Sequence, residues 1–152
     1  MSAYRTLAPW AALFRSGNSV TAIFGVALGS ILASQGLPSG DFAIITALHC
    51  LSVMTFMFSW NALNDYLDIE IDRINRPDRP LPSGEISEVA ARRGILSTAV
   101  LSASFLVVAA YVSHSGEIGL DGWLPSLAIW MMALLLLFNY ESPSKLSFRM
   151  KD

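Results

Sequence analysis

The run GILSTAVLSASFLVVAAYVSHSG, residues 94–116, holds no Asp, Glu, Lys or Arg over 23 positions. An α-helix rises about 1.5 Å per residue, so ~20 apolar residues cross a hydrocarbon layer about 30 Å thick. The run is long enough to span a membrane once and too short to span it twice. Three further charge-free runs lie at Ser16 to Gly40, Phe42 to Asn64 and Gly122 to Tyr140, with 25, 23 and 19 residues. Four transmembrane helices are therefore expected, at about 17–35, 42–68, 90–113 and 122–140, forming a single all-α membrane domain. Composition agrees: of 152 residues 53% are apolar and 14% charged, where a soluble domain carries about a quarter charged residues.

The helix breakers divide the chain in the same way. Gly36, Pro38 and Gly40 separate the first two helices, and Gly116, Gly119, Gly122 and Pro125 surround the turn into the fourth. Pro77, Pro80, Pro82 and Gly84 end helical continuation in the long link between the second and third. The ten basic residues fall in three places: Arg5 and Arg15 in the N-terminal arm, Arg73, Arg76, Arg79, Arg92 and Arg93 in the long link, and Lys145, Arg149 and Lys151 in the tail. With four alternating helices all ten lie on one side, which puts both termini and the link in the cytoplasm under the positive-inside rule, the host being the cell inner or plasma membrane.

A net charge of −2 from 10 basic and 12 acidic residues offers no basic face and excludes nucleic acid as a partner. Cys50 is alone, so it gives neither an internal disulfide nor metal-ligand spacing. Arg5 and Arg15 flank a weakly amphipathic segment and the first apolar run is too long for a signal h-region, so the first helix is expected to stay in the mature protein.

At the end of the second helix stands Asn61-Ala-Leu-Asn-Asp-Tyr-Leu-Asp-Ile-Glu-Ile-Asp72. At about 100° per residue from Asn61, Asn64 falls near −60°, Asp65 near 40°, Asp68 near −20° and Asp72 near 20°, while Glu70 falls near 180°. A continuing helix would thus stack oxygen-bearing side chains on one narrow face. Carboxylates at successive turns repel, so something cationic belongs between them. Hard oxygen ligands of this kind suit Mg²⁺, which takes one or two carboxylates together with phosphate oxygens, and the partner so implied is a phosphate or diphosphate. The bland reading is a solvated helix end whose acids pair with Arg73, Arg76 and Arg79.

The stretch NDYLDIEIDRINRPDRPLPSG, residues 64–84, resembles the first aspartate-rich motif of the UbiA-type intramembrane prenyltransferases. That pattern is Asn-Asp-x-x-Asp-x-x-x-Asp followed by an Asn/Arg-Pro-Leu/Ile-Pro-Ser-Gly turn. Within the family the wording is most similar to the digeranylgeranylglyceryl phosphate synthase branch. The resemblance implies Mg²⁺-dependent transfer of a prenyl group from a prenyl diphosphate to a lipid or aromatic acceptor, either a glycerol-phosphate lipid or a quinone precursor. It implies that Asp68 and Asp72 are catalytic, and that Asn64, Asp65, Asp68 and Asp72 form the Mg²⁺ site, with Asn64, Asp68 and Asp72 holding the ion and Asp65 beside them. Arg15-Ser-Gly-Asn18 is similar to the family's Arg-Pro-x-Asn entry to the first helix, with Ser16 in place of Pro. Tyr140 and Lys145 are similar to its Tyr-Ser-x-x-Leu-Lys region, with Pro143 disturbing the spacing. Asn18, Asn61, Arg76, Arg79, Tyr140 and Lys145 are accordingly expected at the substrate.

Family members have about nine helices and a second Asp-rich motif in the later half. The resemblance covers about half of that fold, and no second Asp-x-x-x-Asp follows Asp72 here. The expectation is a half-site with little turnover alone, completed by a second-half protein or by self-association. The alternative is a non-catalytic membrane protein that binds prenyl diphosphate or serves as an assembly partner.

Other residues have packing roles. His49 is expected to make a helix-packing hydrogen bond and His114 to mark the outer interface. Trp10, Trp60, Trp123 and Trp130 include interfacial anchors, Trp123 most clearly, and Met54, Met57, Met131 and Met132 pack within the membrane. Phe56, Phe58, Trp60 and Phe138 are candidates to line an apolar groove for a prenyl tail.

Overall fold

The computed structural model describes residues 2–116 and 119–149, with side chains at 7–116 and 119–139. Six helices follow one another: α1 Ser2–Leu13, α2 Ser16–Ser34, α3 Gly40–Leu67, α4 Ile69–Asn75, α5 Glu88–Ser115 and α6 Gly119–Arg149. No strand occurs among the described residues. Four helices are long and apolar enough to cross a membrane: α2, α3, α5 and α6 over Gly119–Asn139. The protein is an all-α integral membrane protein.

Each boundary has a local cause. Gln35 ends α2 in the left-handed region at φ 54°, and the amides of Gln35 and Gly36 return to the carbonyls of Leu32 and Ile31. Ser87 caps α5, its hydroxyl accepting from the Ala90 amide at 3.2 Å. With 28 residues, α3 and α5 each run about 42 Å, longer than the hydrocarbon layer, so their ends reach beyond it.

Inside the span, small and hydroxylated side chains hold α3 against α5. Ser52, Thr55, Ser59, Thr98, Ser102, Ala109 and Ser113 are buried there. The Ser52 hydroxyl donates to the Ser102 carbonyl at 2.9 Å, and the Ser102 hydroxyl donates to the Ser52 carbonyl at 2.8 Å. Lipid tails give apolar side chains no reason to pair, so close backbone approach and hydroxyl bonds carry the association. The Trp130 indole donates to the Ser102 hydroxyl at 3.2 Å and the Trp123 indole to the Leu106 carbonyl at 3.1 Å, fastening α6 to α5. Near the start of α6, Trp123 thus spends its indole N–H on a carbonyl of α5. His49 differs from expectation: its Nε2 is buried with no hydrogen-bond partner among the described residues. The ring borders a cavity of about 470 Å³ whose lining includes Ser30, Thr46 and Trp123.

A second core lies at the end of the bundle that carries α4. Leu13, Ala62, Ile69, Leu81, Ile86 and Ala91 are buried together, with Trp10, Phe14, Tyr66 and Ile95 packed on them. Phe14 stacks on Phe58 at 5.0 Å, while Phe56 pairs with Trp60 and Trp130 at 6.3 and 5.6 Å. Phe138 is 60% exposed. Of the four groove candidates, Phe58 stacks on Phe14 beside this core, Phe56 contacts both Trp60 and, on α6, Trp130, and Phe138 is exposed on α6.

Trp10 of α1 sits on α5 where Gly94 has no side chain; a Cβ there would lie 2.6 Å from the indole ring. Gly94→Leu is expected to lift Trp10 and destabilise this core by roughly 1–3 kcal/mol, the usual cost of overpacking. Thermal unfolding followed by tryptophan fluorescence checks it; a midpoint equal to that of the unaltered protein counts against this packing.

Candidate functional site

In its last two turns α3 carries Asn61, Asn64 and Asp65 out of its apolar run, and it stops at Leu67. Asp68 takes φ −90° and ψ 5°, the sparsely populated bridge between helix and strand, and α4 resumes at Ile69. The second helix thus ends beside the expected limit of about residue 68, and the single face drawn from Asn61 to Asp72 for a continuing helix is broken by a bend at Asp68. The ladder is kept across the bend by the Asp68 amide to the Asn64 carbonyl at 3.0 Å and the Asp72 amide to the Asp68 carbonyl at 2.8 Å. The bend turns Ile69 into the core, where it is 3% exposed beside Leu13, Leu81 and Ile86. Burying one such side chain is worth about 2 kcal/mol, enough to offset a local departure from helical geometry.

The link after α4 folds back over the same face. The Arg79 amide donates to the Arg76 carbonyl at 3.1 Å, the Ser83 amide to Arg79 at 2.9 Å and the Ile86 amide to Pro80 at 3.0 Å. Gly84 closes this turn at φ +79°, where a side chain would be strained. Leu81 and Ile86 are buried in the core, so the proline-rich turn is pinned at both ends. That pinning delivers Arg79: its Nη1 donates to Asp72 Oδ2 at 2.6 Å and to Asp65 Oδ1 at 3.2 Å. The two acids meet through one guanidinium, as their repulsion requires. Arg73 instead pairs with Glu70 at 2.6 Å and Glu88 at 3.3 Å on the exposed side, and Arg76 is exposed.

A second cation arrives from 50 residues earlier. Arg15 Nη2 donates to Asp65 Oδ1 at 2.6 Å. Arg15 is the corner between α1 and α2 and sits in the left-handed region, φ 47° and ψ 52°, which costs a non-glycine residue roughly 1–2 kcal/mol. The corner is also tied through Phe14, whose carbonyl accepts from Asn61 Nδ2 at 3.0 Å. Sequence reading selected Asn18 from this motif, yet Asn18 is exposed on the first turn of α2 while Arg15 reaches the acids. The signal for Arg15 was its place in the same four-residue motif. Asn61 faces the α1–α2 corner, and the side chains of Tyr140 and Lys145 lie outside the described residues.

Arg15, Asp65, Arg79 and Asp72 thus form one continuous chain of ion pairs with no net charge. The Asp65 and Asp72 side chains are only 7% and 8% exposed. Burying such acids is tolerable because each is paired and hydrogen-bonded. Among the described residues no three His, Cys, Asp or Glu side chains converge as a ready-made metal cage. Mg²⁺ does not need one: it takes one or two carboxylates and completes its octahedron with water and phosphate oxygens. The oxygen donors Asn64, Asp68 and Asp72, beside arginines suited to phosphate, fit a cation that binds together with a diphosphate.

Comparison with known proteins gives a consistent picture. The profile of the UbiA prenyltransferase family matches residues 22–151. The digeranylgeranylglyceryl phosphate synthase of Methanobrevibacter smithii is 37% identical over 137 residues, which are 90% of this chain and 44% of that protein. The enzyme of the same name from Haloquadratum walsbyi is 40% identical over 133 residues, 84% of this chain and 39% of its own. A solved structure described as "Structural and mechanistic insights into the biosynthesis of Digeranylgeranylglyceryl phosphate synthase in membranes" superposes with a TM-score of 0.61 at 30% identity, over 92% of this chain and 44% of that one. The chain spans less than half the length of these relatives.

Proposed function

Because this chain belongs to the UbiA prenyltransferase family, we propose that it carries the first acidic half of a Mg²⁺-dependent site that transfers a prenyl group from a prenyl diphosphate to a glycerol-phosphate lipid. The observation that carries this reading is the meeting of Asp65, Asp72 and Arg79 at the end of α3, within a motif that supplies Asn64 and Asp68 as further oxygen donors. The acceptor follows the relatives, which are named for a glyceryl phosphate product.

Asn64, Asp68 and Asp72 would hold the cation, and Arg79 with Arg76 would contact the diphosphate oxygens. Bound Mg²⁺ would supply Lewis-acid neutralisation of the departing diphosphate, worth several kcal/mol in a dry site. Arg79 is well suited to follow charge onto that group, since its guanidinium fork matches phosphate and stays protonated. Asn18, Asn61, Tyr140 and Lys145 are proposed to complete contacts with substrate. All ten basic residues lie on one side when four spans alternate, so both termini and the acidic site face the cytoplasm in this reading, with the diphosphate near water and its hydrocarbon tail in the bilayer.

One acid cluster neutralises one side of a diphosphate. We therefore propose that the 152 residues alone bind the diphosphate and turn over little, and that the remaining length of the relatives' fold supplies the other ligands. The test is product formation from a radiolabelled prenyl diphosphate and a glycerol-phosphate lipid, with the 152 residues alone and with a polypeptide carrying the relatives' later half. Labelled ether lipid from the combination, and little from the 152 residues alone, is the expected result. Binding without product in either case would favour a non-catalytic diphosphate-binding protein.

A further inference from the structure

We propose that Asp65 is a positioning residue rather than a metal ligand, and that it holds Arg79 so that cation binding at Asp72 hands this arginine to the diphosphate. The inference rests on the transferase reading and adds to it an order of events. Asp65 Oδ1 is committed twice, to Arg15 at 2.6 Å and to Arg79 at 3.2 Å. Asp72 has Arg79 at 2.6 Å on Oδ2, the oxygen a cation would share or take. A divalent cation that reaches Asp72 meets a guanidinium of the same sign already in place. The two repel, and Arg79 must move away from Asp72 for the cation to sit well.

Asp65 decides where Arg79 goes. The longer of its two bonds to arginine is a tether: it keeps Arg79 beside the site after Asp72 is taken, instead of releasing it to solvent. Arg15 fixes the other end, since it reaches Asp65 from a strained corner that the Asn61 to Phe14 bond also secures. A group with three phosphate-type oxygens to offer then gives the displaced guanidinium a partner as good as the one it lost. The consequence is mutual dependence. Cation alone binds poorly because it must unseat Arg79, diphosphate alone finds Arg79 occupied, and each improves the other's affinity by the same factor. The site stays closed as neutral ion pairs until both arrive.

The experiment uses the full chain in lipid nanodiscs, with Mn²⁺ as the cation probe read by electron paramagnetic resonance and inorganic diphosphate as the anion probe. Arg79→Gln is expected to bind Mn²⁺ without diphosphate about tenfold tighter than the unaltered chain, and to lose most of the gain that diphosphate brings. A merely structural arginine would weaken binding, so equal or weaker Mn²⁺ binding by Arg79→Gln overturns the proposal. Asp65→Asn is expected to keep the number of bound Mn²⁺ ions while losing the coupling; loss of bound Mn²⁺ to the extent seen in Asp72→Asn makes Asp65 a ligand and overturns the proposal while leaving the transferase reading intact. If Asp65→Asn does not fold, the Arg79→Gln comparison decides alone. Failure of the unaltered chain to bind Mn²⁺ even with diphosphate would overturn both this proposal and the reading beneath it.

Discussion

Asp72→Ala is expected to lower Mg²⁺-dependent binding of a prenyl diphosphate by about a hundredfold or more, the scale seen when a positioned group for a charged centre is removed. Two losses coincide in this one change. The cation loses a carboxylate, and Arg79 loses its 2.6 Å partner and swings onto Asp65 alone. Fold should survive, because Asp72 lies in α4 outside the buried apolar cluster. Equilibrium binding of a labelled prenyl diphosphate at fixed Mg²⁺, with a circular dichroism check on helix content, measures it. Undiminished binding would remove Asp72 from the ligand set, and the same result with Asp68→Ala would remove the cation site altogether.

The second large effect is all-or-none. In a Cys50→Ser background, a cysteine at Ser39 or at Asp121 is expected to react from outside intact cells with a reagent that cannot cross membranes. A cysteine at Arg76 is expected to react only after lysis. Ser39 and Asp121 avoid the left-handed backbone of the neighbouring Gly40 and Gly119, at φ +54° and +71°, where a cysteine would be strained. Protection of both outer positions with labelling at Arg76 would invert the topology, and the charge distribution on which it rests would lose its meaning.

The spans were legible because a charge-free run of about 20 residues has one cheap resting place, and that argument needs no partner element. α4 was not. Periodicity treats residues 61–72 as one helix, and no residue there is a breaker. The bend at Asp68 is fixed by where Ile69 finds Leu13, Leu81 and Ile86, three segments apart in sequence. Across the bend Asp65 and Asp72 still meet through Arg79, and Glu70 pairs with Arg73 instead. Arg15 received no role although it opens the Arg15-Ser-Gly-Asn18 motif, because its partner lies 50 residues on. Of the arginines offered as partners for the acids, Arg79 was the right one, and its selection depends on the proline turn that aims it. The indoles of Trp123 and Trp130 likewise find bundle acceptors that composition alone does not announce.

The two cores of the molecule are held by different forces, and temperature separates them. The cluster of Leu13, Ala62, Ile69, Leu81, Ile86 and Ala91 beneath the acids draws its strength from removal of apolar surface from water, which weakens on cooling. The Ser52 and Ser102 exchange between α3 and α5 was never in contact with water once inserted, so it has no such dependence. Cooling is therefore expected to weaken the platform that aims Arg79 more than the Ser52–Ser102 contact, an outcome that spectroscopic melting at low temperature checks. An organism living in the cold would have to reinforce this platform, and not the spans, to keep the same site.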